Sequence, residues 1–384
     1  MFSLSGKKMA KVVHWGKYYP PDMGGIESVT SSVARGAQAA GHSVSVVCFR
    51  KGEAPEGSAS DGVRILRAPI QMLKASQPMG FQYFRWLLEE GRKADIIHLH
   101  APNLLAALAT KMLGRGPRLV LHWHSDIVDK GLIGKLVKPL EAAMLRRADR
   151  IVCTSEAYAK ASLPLMPYAS KISVVPIGVA DVAPPHSEDR IPEALAQRIG
   201  GRRIVLAIGR LVPYKGFPVL VDAARHLQDD AVVVIVGTGP RKTELEAQIN
   251  QGGLSDKVLL AGRQEDSALR ALFRQAALFC LPSVERSEAF GVVLIEAMSH
   301  GLPIVATQIP GSGVSWVNAH GESGINVPVA DPRALAAACN ELLASDVLRE
   351  KLARGARLRF ETEFTEQVST ERMMKVYSTL LAGS

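Results

Sequence analysis

The chain has 384 residues, 47% hydrophobic and 22% charged, a balance that excludes a disordered or fibrous protein and suffices for two ordinary domains. No apolar run approaches the ~20 residues that span a bilayer, and the start "MFSLSGKKMAKVVHWG" lacks the apolar stretch and cleavage site of a secretory signal, so a cytoplasmic protein is expected. The net charge of +9 is uneven: residues 1–180 hold 24 basic and 13 acidic side chains and the remainder 22 and 24, which points to an anionic partner, yet the basic residues are scattered and form no nucleic-acid module, so nucleic acid is not expected.

Along the chain, short β-branched runs recur: "KVVHWG", "VSVVCF", "VRILRA", "ADIIHLH", "RLVLHWH" and "RIVCTS", then "RIVLAIG", "AVVVIVG", "KVLLAG", "LFCLPS" and "PIVATQ". Several are apolar throughout, as in strands buried on both faces of a parallel sheet. Stretches with helical spacing, such as "ESVTSSVARGAQAAGH" and "FPVLVDAARHLQ", lie between them. Strand and helix in alternation predict an α/β protein. The proline- and charge-rich stretch "VADVAPPHSEDRIPEA" at 179–194 reads as a linker. Two doubly wound domains are expected, 1–180 and 181–365, followed by 366–384. Cys48, Cys153, Cys280 and Cys339 lack metal or redox spacing and read as buried free thiols.

Ligands of such sheets bind beyond the carboxyl ends of the strands. After the first strand come Gly24 and Gly25, with a helix expected from about Glu27. The glycines allow close backbone approach, and a helix start offers N–H groups to an anion; a turn without ligand is the alternative. After "RIVLAIG" come Gly209, Arg210 and Lys215, with a helix from about Phe217. Two cations beside a helix start disfavour each other and the dipole unless an anion neutralises them. A third place, "SEAFGVVLIE", sets Glu288 before a helix expected near Phe290 and Glu296 two turns in. Eight helical residues turn about 80° beyond two full circles, so one regular helix cannot aim both carboxylates at one spot. If both hold one ligand, that ligand is long. His98, His100, His122 and His124 end two strands, each pair on one face, with Asp126 close by; a metal is conceivable there, but strand-end histidines in a cleft are the plainer reading.

With "GGIESV", "GRLVPYKG", "VGTGP" and "SEAFGVVLIE" in this order, nearly the whole chain resembles the retaining glycosyltransferases of family 4, with the GT-B fold of two facing Rossmann-like domains about a cleft. The resemblance implies that Arg210 and Lys215 bind the diphosphate of a nucleotide-sugar donor. Glu288 would hold hydroxyls of the donor sugar, and Glu296 the ribose. Phe290, Gly291 and Val292 would offer backbone N–H groups, Gly25 would lie near the diphosphate, and Gly262 and Arg263 would seat the base. Gly24, Gly209, Gly237 and Ala289 complete the donor-binding set. His124 is expected to face the transferred sugar and, with Arg210, Lys215 and Glu288, to make up the catalytic group. The helix of 366–384 is expected to return to the first domain. No Asp-x-Asp occurs, so a divalent ion lacks its usual ligands. Neither metal nor cofactor is expected. The segment "IPGSGVSWVNAHGESGINVP" departs from the family's glycine turn, and no roles carry over there.

"HWHSDIVDKGLIGKLVKPLEAAMLRRADRIVCTS" looks most like bacterial mannosyl- and rhamnosyltransferases of surface polysaccharide synthesis. That favours a GDP-mannose donor, with GDP-rhamnose or a UDP-sugar as alternatives, and a glycan or lipid-linked acceptor. An epimerase or a non-catalytic nucleotide-sugar-binding protein are the other classes. The basic, apolar stretch at 130–150 suggests an anionic membrane surface as a further partner, though the stronger reading of the stretch itself is a core helix with solvated cations, interrupted by Pro139.

Overall fold

The computed structural model describes residues 9–22, 24–50, 52, 57–74, 77–126 and 131–383, with backbone alone at 57–60, 74 and 131–137. The chain divides into two units, Met1–Gly178 with Glu366–Ser384, and Val179–Thr365.

The first unit is built on strands β1 (Lys11–Trp15), β2 (Ser43–Phe49), β3 (Gly57–Ser60) and β4 (Val63–Ala68), then the small hairpin β5 (Met72–Lys74) and β6 (Gln77–Met79), then β7 (Ile96–Ala101), β8 (Arg118–Trp123), β9 (Arg150–Cys153) and β10 (Ile172–Val174). Its sheet runs β10-β9-β8-β7-β1-β2-β4-β3 and is parallel but for β3 against β4. The six residues of β7 are all buried, which explains a run apolar throughout except for its histidines. Helix Gly25–Ala39 begins two residues before the expected Glu27. Helix Glu366–Ala382 belongs to this unit. It lies so close to helix Gly25–Ala39 that a Cβ on Gly36 would stand 2.4 Å from the Thr370 hydroxyl. Arg35 pairs with Glu366 at 2.9 Å, and Ser369 donates to the Pro176 carbonyl at 2.8 Å.

The stretch singled out as a membrane contact forms helix Gly131–Arg147. Lys130 lies outside the described residues, as do the side chains of Leu132, Ile133, Lys135, Leu136 and Val137. Met144 and Leu145 are buried in the core, in keeping with the core-helix reading of this stretch. Arg147 donates to the Gly114 and Pro117 carbonyls at 2.6 Å and pairs with Asp149. No described helix is long and apolar enough to cross a membrane.

The second unit carries β11 (Arg203–Ile208), β12 (Ala231–Val236), β13 (Val258–Gly262), β14 (Ala276–Leu281), β15 (Ile304–Thr307) and β16 (Gly324–Val327). They form an all-parallel sheet in the order β13-β12-β11-β14-β15-β16. One core joins Val205, Ala207, Val233, Ile235 and Leu278 to Phe217, Leu220, Leu335 and Leu342 of the covering helices. The linker is pinned to this unit: Asp189 is held by Arg270 at 2.7 Å and by Arg274, and Arg357 grips Asp181 through two nitrogens at 2.6 and 2.7 Å. All four cysteines are free and buried.

Candidate active site

In the second unit, parallel β11, β12, β13 and β14 end on one edge of the sheet. The turns there are fitted backbone against backbone. Gly237, at φ 143°, follows β12; a Cβ on it would sit 1.9 Å from the Gly209 carbonyl oxygen, and its N–H donates to Gly262 at 2.8 Å. After Gly209 the chain passes through a short turn, Pro213–Lys215, and into Gly216 at φ 65°, where a Cβ would stand 2.0 Å from the Pro282 carbonyl. That join brings the loop after β11 against the loop after β14. It also lays the Lys215 stem along Gly209 and aims its Nζ at Glu288.

Lys215 Nζ and Glu288 Oε2 lie 2.5 Å apart, with side chains only 11% and 10% exposed. Ser283 donates to the same carboxylate oxygen at 3.0 Å. Ser312 donates to the Glu288 backbone carbonyl at 2.5 Å and so fixes the loop itself. Breaking so enclosed a pair leaves an uncompensated charge, which costs about 3–5 kcal/mol.

The helix expected near Phe290 begins instead at Val292, because Gly291 adopts a left-handed φ of 80° and ends the loop there. Phe290 is buried, its ring against Trp316 and Phe364, so only its backbone is available to a ligand. The Ala289 carbonyl is already taken by the Gly313 N–H at 2.8 Å. Glu296 stands in the second turn of helix Val292–Ser299. Its side chain reaches solvent, yet the protein around it pushes the carboxyl above its usual range, and the nearby Lys215 ammonium draws it back. Arg210 is exposed and donates to the Tyr214 hydroxyl at 3.3 Å; the Tyr214 ring lies 5.8 Å from Lys215 Nζ. Arg263 is exposed beyond Gly262.

In the first unit, Gly24 precedes helix Gly25–Ala39, and a Cβ on Gly25 would meet nothing within 4 Å, so packing does not demand glycine there. His124 follows β8 and is not isolated. In-register pairing sets His14 beside His98 and His100 beside His122. Alternation adds His124, and five buried imidazoles form one stacked group with centroids 4.3–5.5 Å apart. Their nitrogens bond to one another: His14 Nδ1 to His100 Nε2 at 3.1 Å, His100 Nδ1 to His124 Nε2 at 3.0 Å, and His98 Nε2 to His122 Nδ1 at 3.2 Å. His98 Nδ1 meets the Tyr377 hydroxyl at 2.6 Å. Burial holds every ring below its ordinary pKa, His14 and His122 at about 3. Two triads, His14–His98–His100 and His100–His122–His124, are close enough to share an ion. In this arrangement their nitrogens face each other at N–H···N distances. Asp126 belongs elsewhere, bonded to Trp123 Nε1 at 2.9 Å and Ser162 at 2.6 Å.

Sequence reasoning missed Tyr214, Ser283, Ser312, His14 and Tyr377. Ser283 was detectable as a polar residue just past a strand. Ser312 lies in the segment that departs from the family pattern, and Tyr377 comes from the distant carboxyl-terminal helix.

In each unit, glycine turns and polar side chains gather at the ends of parallel strands, the place where such sheets bind ligands. The comparisons agree. Residues 23–181 match Glycosyltransferase Family 4, and 193–359 match Glycosyl transferases group 1. The chain is 31% identical to the O-antigen chain mannosyltransferase C of Escherichia coli, over 97% of this chain and 99% of that one. It is 32% identical to the D-rhamnosyltransferase WbpZ of Pseudomonas aeruginosa, over 92% of each. Among solved structures, Anabaena HepE in complex with UDP superposes with a TM-score of 0.77 at 20% identity, over 96% of this chain and all of that one. The protein belongs to glycosyltransferase family 4 and has the GT-B fold of two Rossmann-like domains.

Proposed function

We propose that the protein is a retaining hexosyltransferase that moves mannose from GDP-mannose to a glycan or lipid-linked oligosaccharide in bacterial surface polysaccharide synthesis, without a metal ion. The mannosyl- and rhamnosyltransferase relatives, matched over more than nine-tenths of the chain, support the donor class and the pathway class. The Lys215–Glu288 pair carries the mechanism. When the donor binds, Lys215 turns to the diphosphate and Glu288 is released to accept hydroxyls of the sugar. As the sugar–phosphate bond breaks, negative charge grows on the leaving diphosphate. Lys215 and Arg210 stabilise that charge more than they stabilise the bound donor, which lowers the barrier. Glu296 accepts the ribose hydroxyls, and the acceptor enters on the face the diphosphate leaves. The leaving phosphate takes the acceptor proton, so no protein base is required. The enzyme works in the cytoplasm, peripherally on the inner membrane face, where a lipid-linked acceptor is exposed.

The test is a panel of GDP-mannose, GDP-rhamnose and UDP-glucose, each with a lipid-linked oligosaccharide, read as sugar transferred. GDP-mannose is expected to give the highest kcat/KM. Transfer from the UDP-sugar alone would replace the donor assignment. Isomerised donor without transfer would point to an epimerase, and nucleotide binding without any turnover to a non-catalytic protein.

A further inference from the structure

The five-histidine group of the first unit is larger than an enzyme needs to place one ring against a sugar. Its bonding pattern has a direction. Burial keeps each imidazole neutral, so each carries one proton on one of two nitrogens. Along His14–His100–His124, every bond needs one N–H and one lone pair, and only two arrangements satisfy the whole row. In one, the proton of each ring sits on Nδ1: His14 donates to His100, His100 donates to His124 Nε2, and His124 keeps its own N–H on Nδ1. In the other, every proton sits on Nε2, and the row ends in an N–H on His14 Nε2. That atom is buried and has no partner among the described residues. An orphaned buried N–H is rarer in folded proteins than an acceptor left short of a donor. The first arrangement therefore prevails. The parallel row agrees: His122 Nε2 is also buried without a partner among the described residues, so His122 donates from Nδ1 to His98, and His98 donates from Nδ1 to the Tyr377 oxygen.

We propose that His14 and His100 are positioning residues that lock His124 in the Nδ1–H form, so that it offers a donor N–H, not a lone pair, to the transferred sugar. This rests on the transferase reading for the sugar, but not for the tautomer. A sugar hydroxyl or ring oxygen can accept from an N–H, and a ring fixed in one form loses no orientation when substrate arrives. Tyr377 ties the second row to the carboxyl-terminal helix, which gives that helix a part in holding the site.

The experiment labels histidine with ¹⁵N in the full-length protein and reads long-range ¹H–¹⁵N correlations of the rings, with His124 assigned by its loss in His124→Gln. The wild type is expected to show His124 as Nδ1–H. His100→Leu is expected to let His124 revert to Nε2–H or to a mixture and to lower kcat about tenfold or more, with little change in donor KM. His100→Asn, whose amide N–H stands where Nδ1–H stood, is expected to restore both. An Nε2–H signal for His124 in the wild type would overturn the proposal, whatever the variants do. So would copurified zinc in one-to-one amount with the rings shifted to metal-bound positions. The expected tautomer without sugar transfer from any donor would leave the relay standing and remove the transferase reading.

Discussion

The two units gather polar groups at the ends of their strands by opposite means. The first buries five imidazoles that bond to one another in two rows, His14–His100–His124 and His98–His122. The second sets a cation against a carboxylate in a nearly enclosed ion pair, Lys215 with Glu288. A neutral row can be made rigid without a ligand, because each bond is complete. A charged pair is complete only until something competes for it. The first arrangement suits a group that must already be in place when a sugar arrives, and the second suits a group that changes partners during the reaction.

That contrast can be broken most severely at Lys215. Lys215→Ala is expected to lower transfer about a thousandfold, since a charge-assisted contact to the leaving group is worth several kcal/mol and each ~1.4 kcal/mol is tenfold. Arg210→Ala, at an exposed position where the guanidinium donates to the Tyr214 hydroxyl, is expected to cost about ten- to a hundredfold by the same reasoning. Steady-state kinetics checks both, with the thermal midpoint as a control for folding. Equal and small losses would mean that the enclosed pair has no special place in the chemistry.

The two carboxylates sharpen the comparison within the second unit. Glu288→Gln is expected to harm transfer about tenfold or more while leaving GDP affinity within about threefold, and Glu296→Gln to do the reverse. Titration calorimetry with GDP alone separates them. An equal loss of GDP affinity in both variants would show that they do not hold opposite ends of the ligand.

Acid tests the first unit. Its five rings have pKa values below the ordinary 6.5 in the folded chain, so the unfolded chain binds more protons as the pH falls below that value. Their contribution to stability is complete above about pH 6.5 and declines as the pH drops toward the depressed values, by up to about 1.4 kcal/mol per pH unit for each ring. The second unit has one such ring among its described residues, His300, held at about 4. Hydrogen exchange at pH 7.5 and 5.5, corrected for intrinsic rates, is expected to show protection lost first in β1, β7 and β8. Equal loss in β11 and β12 would refute the assignment of acid sensitivity to the histidine group.

Much of this was legible in the sequence. Runs such as "AVVVIV" and "RIVLAI" announce strands buried on both faces, and their alternation with helical stretches gave the parallel sheets. The short β3, β5, β6, β10 and β16 escaped, because unlike the equally short "RIVC" and "IVAT" they carry no continuous run of β-branched or apolar residues. The late start of helix Val292–Ser299 escaped because a left-handed glycine looks the same in sequence as a helical one. Arg210, Lys215 and Glu288 could be picked as residues just past strands. Their contact could not, since it depends on Gly216 fitting against Pro282. His14 reads as a stray histidine in an apolar strand until register sets it beside His98. Met144 and Leu145 belonged equally well to a core or a membrane face, and only packing decided.

The central claim is that fixed side chains, and no divalent ion, carry the charge of the departing diphosphate. The most direct measurement is the initial rate of mannose transfer from GDP-mannose by the wild-type enzyme before and after exhaustive treatment with EDTA. The account predicts the same rate in both. A rate abolished by the chelator and restored by magnesium or manganese would contradict it.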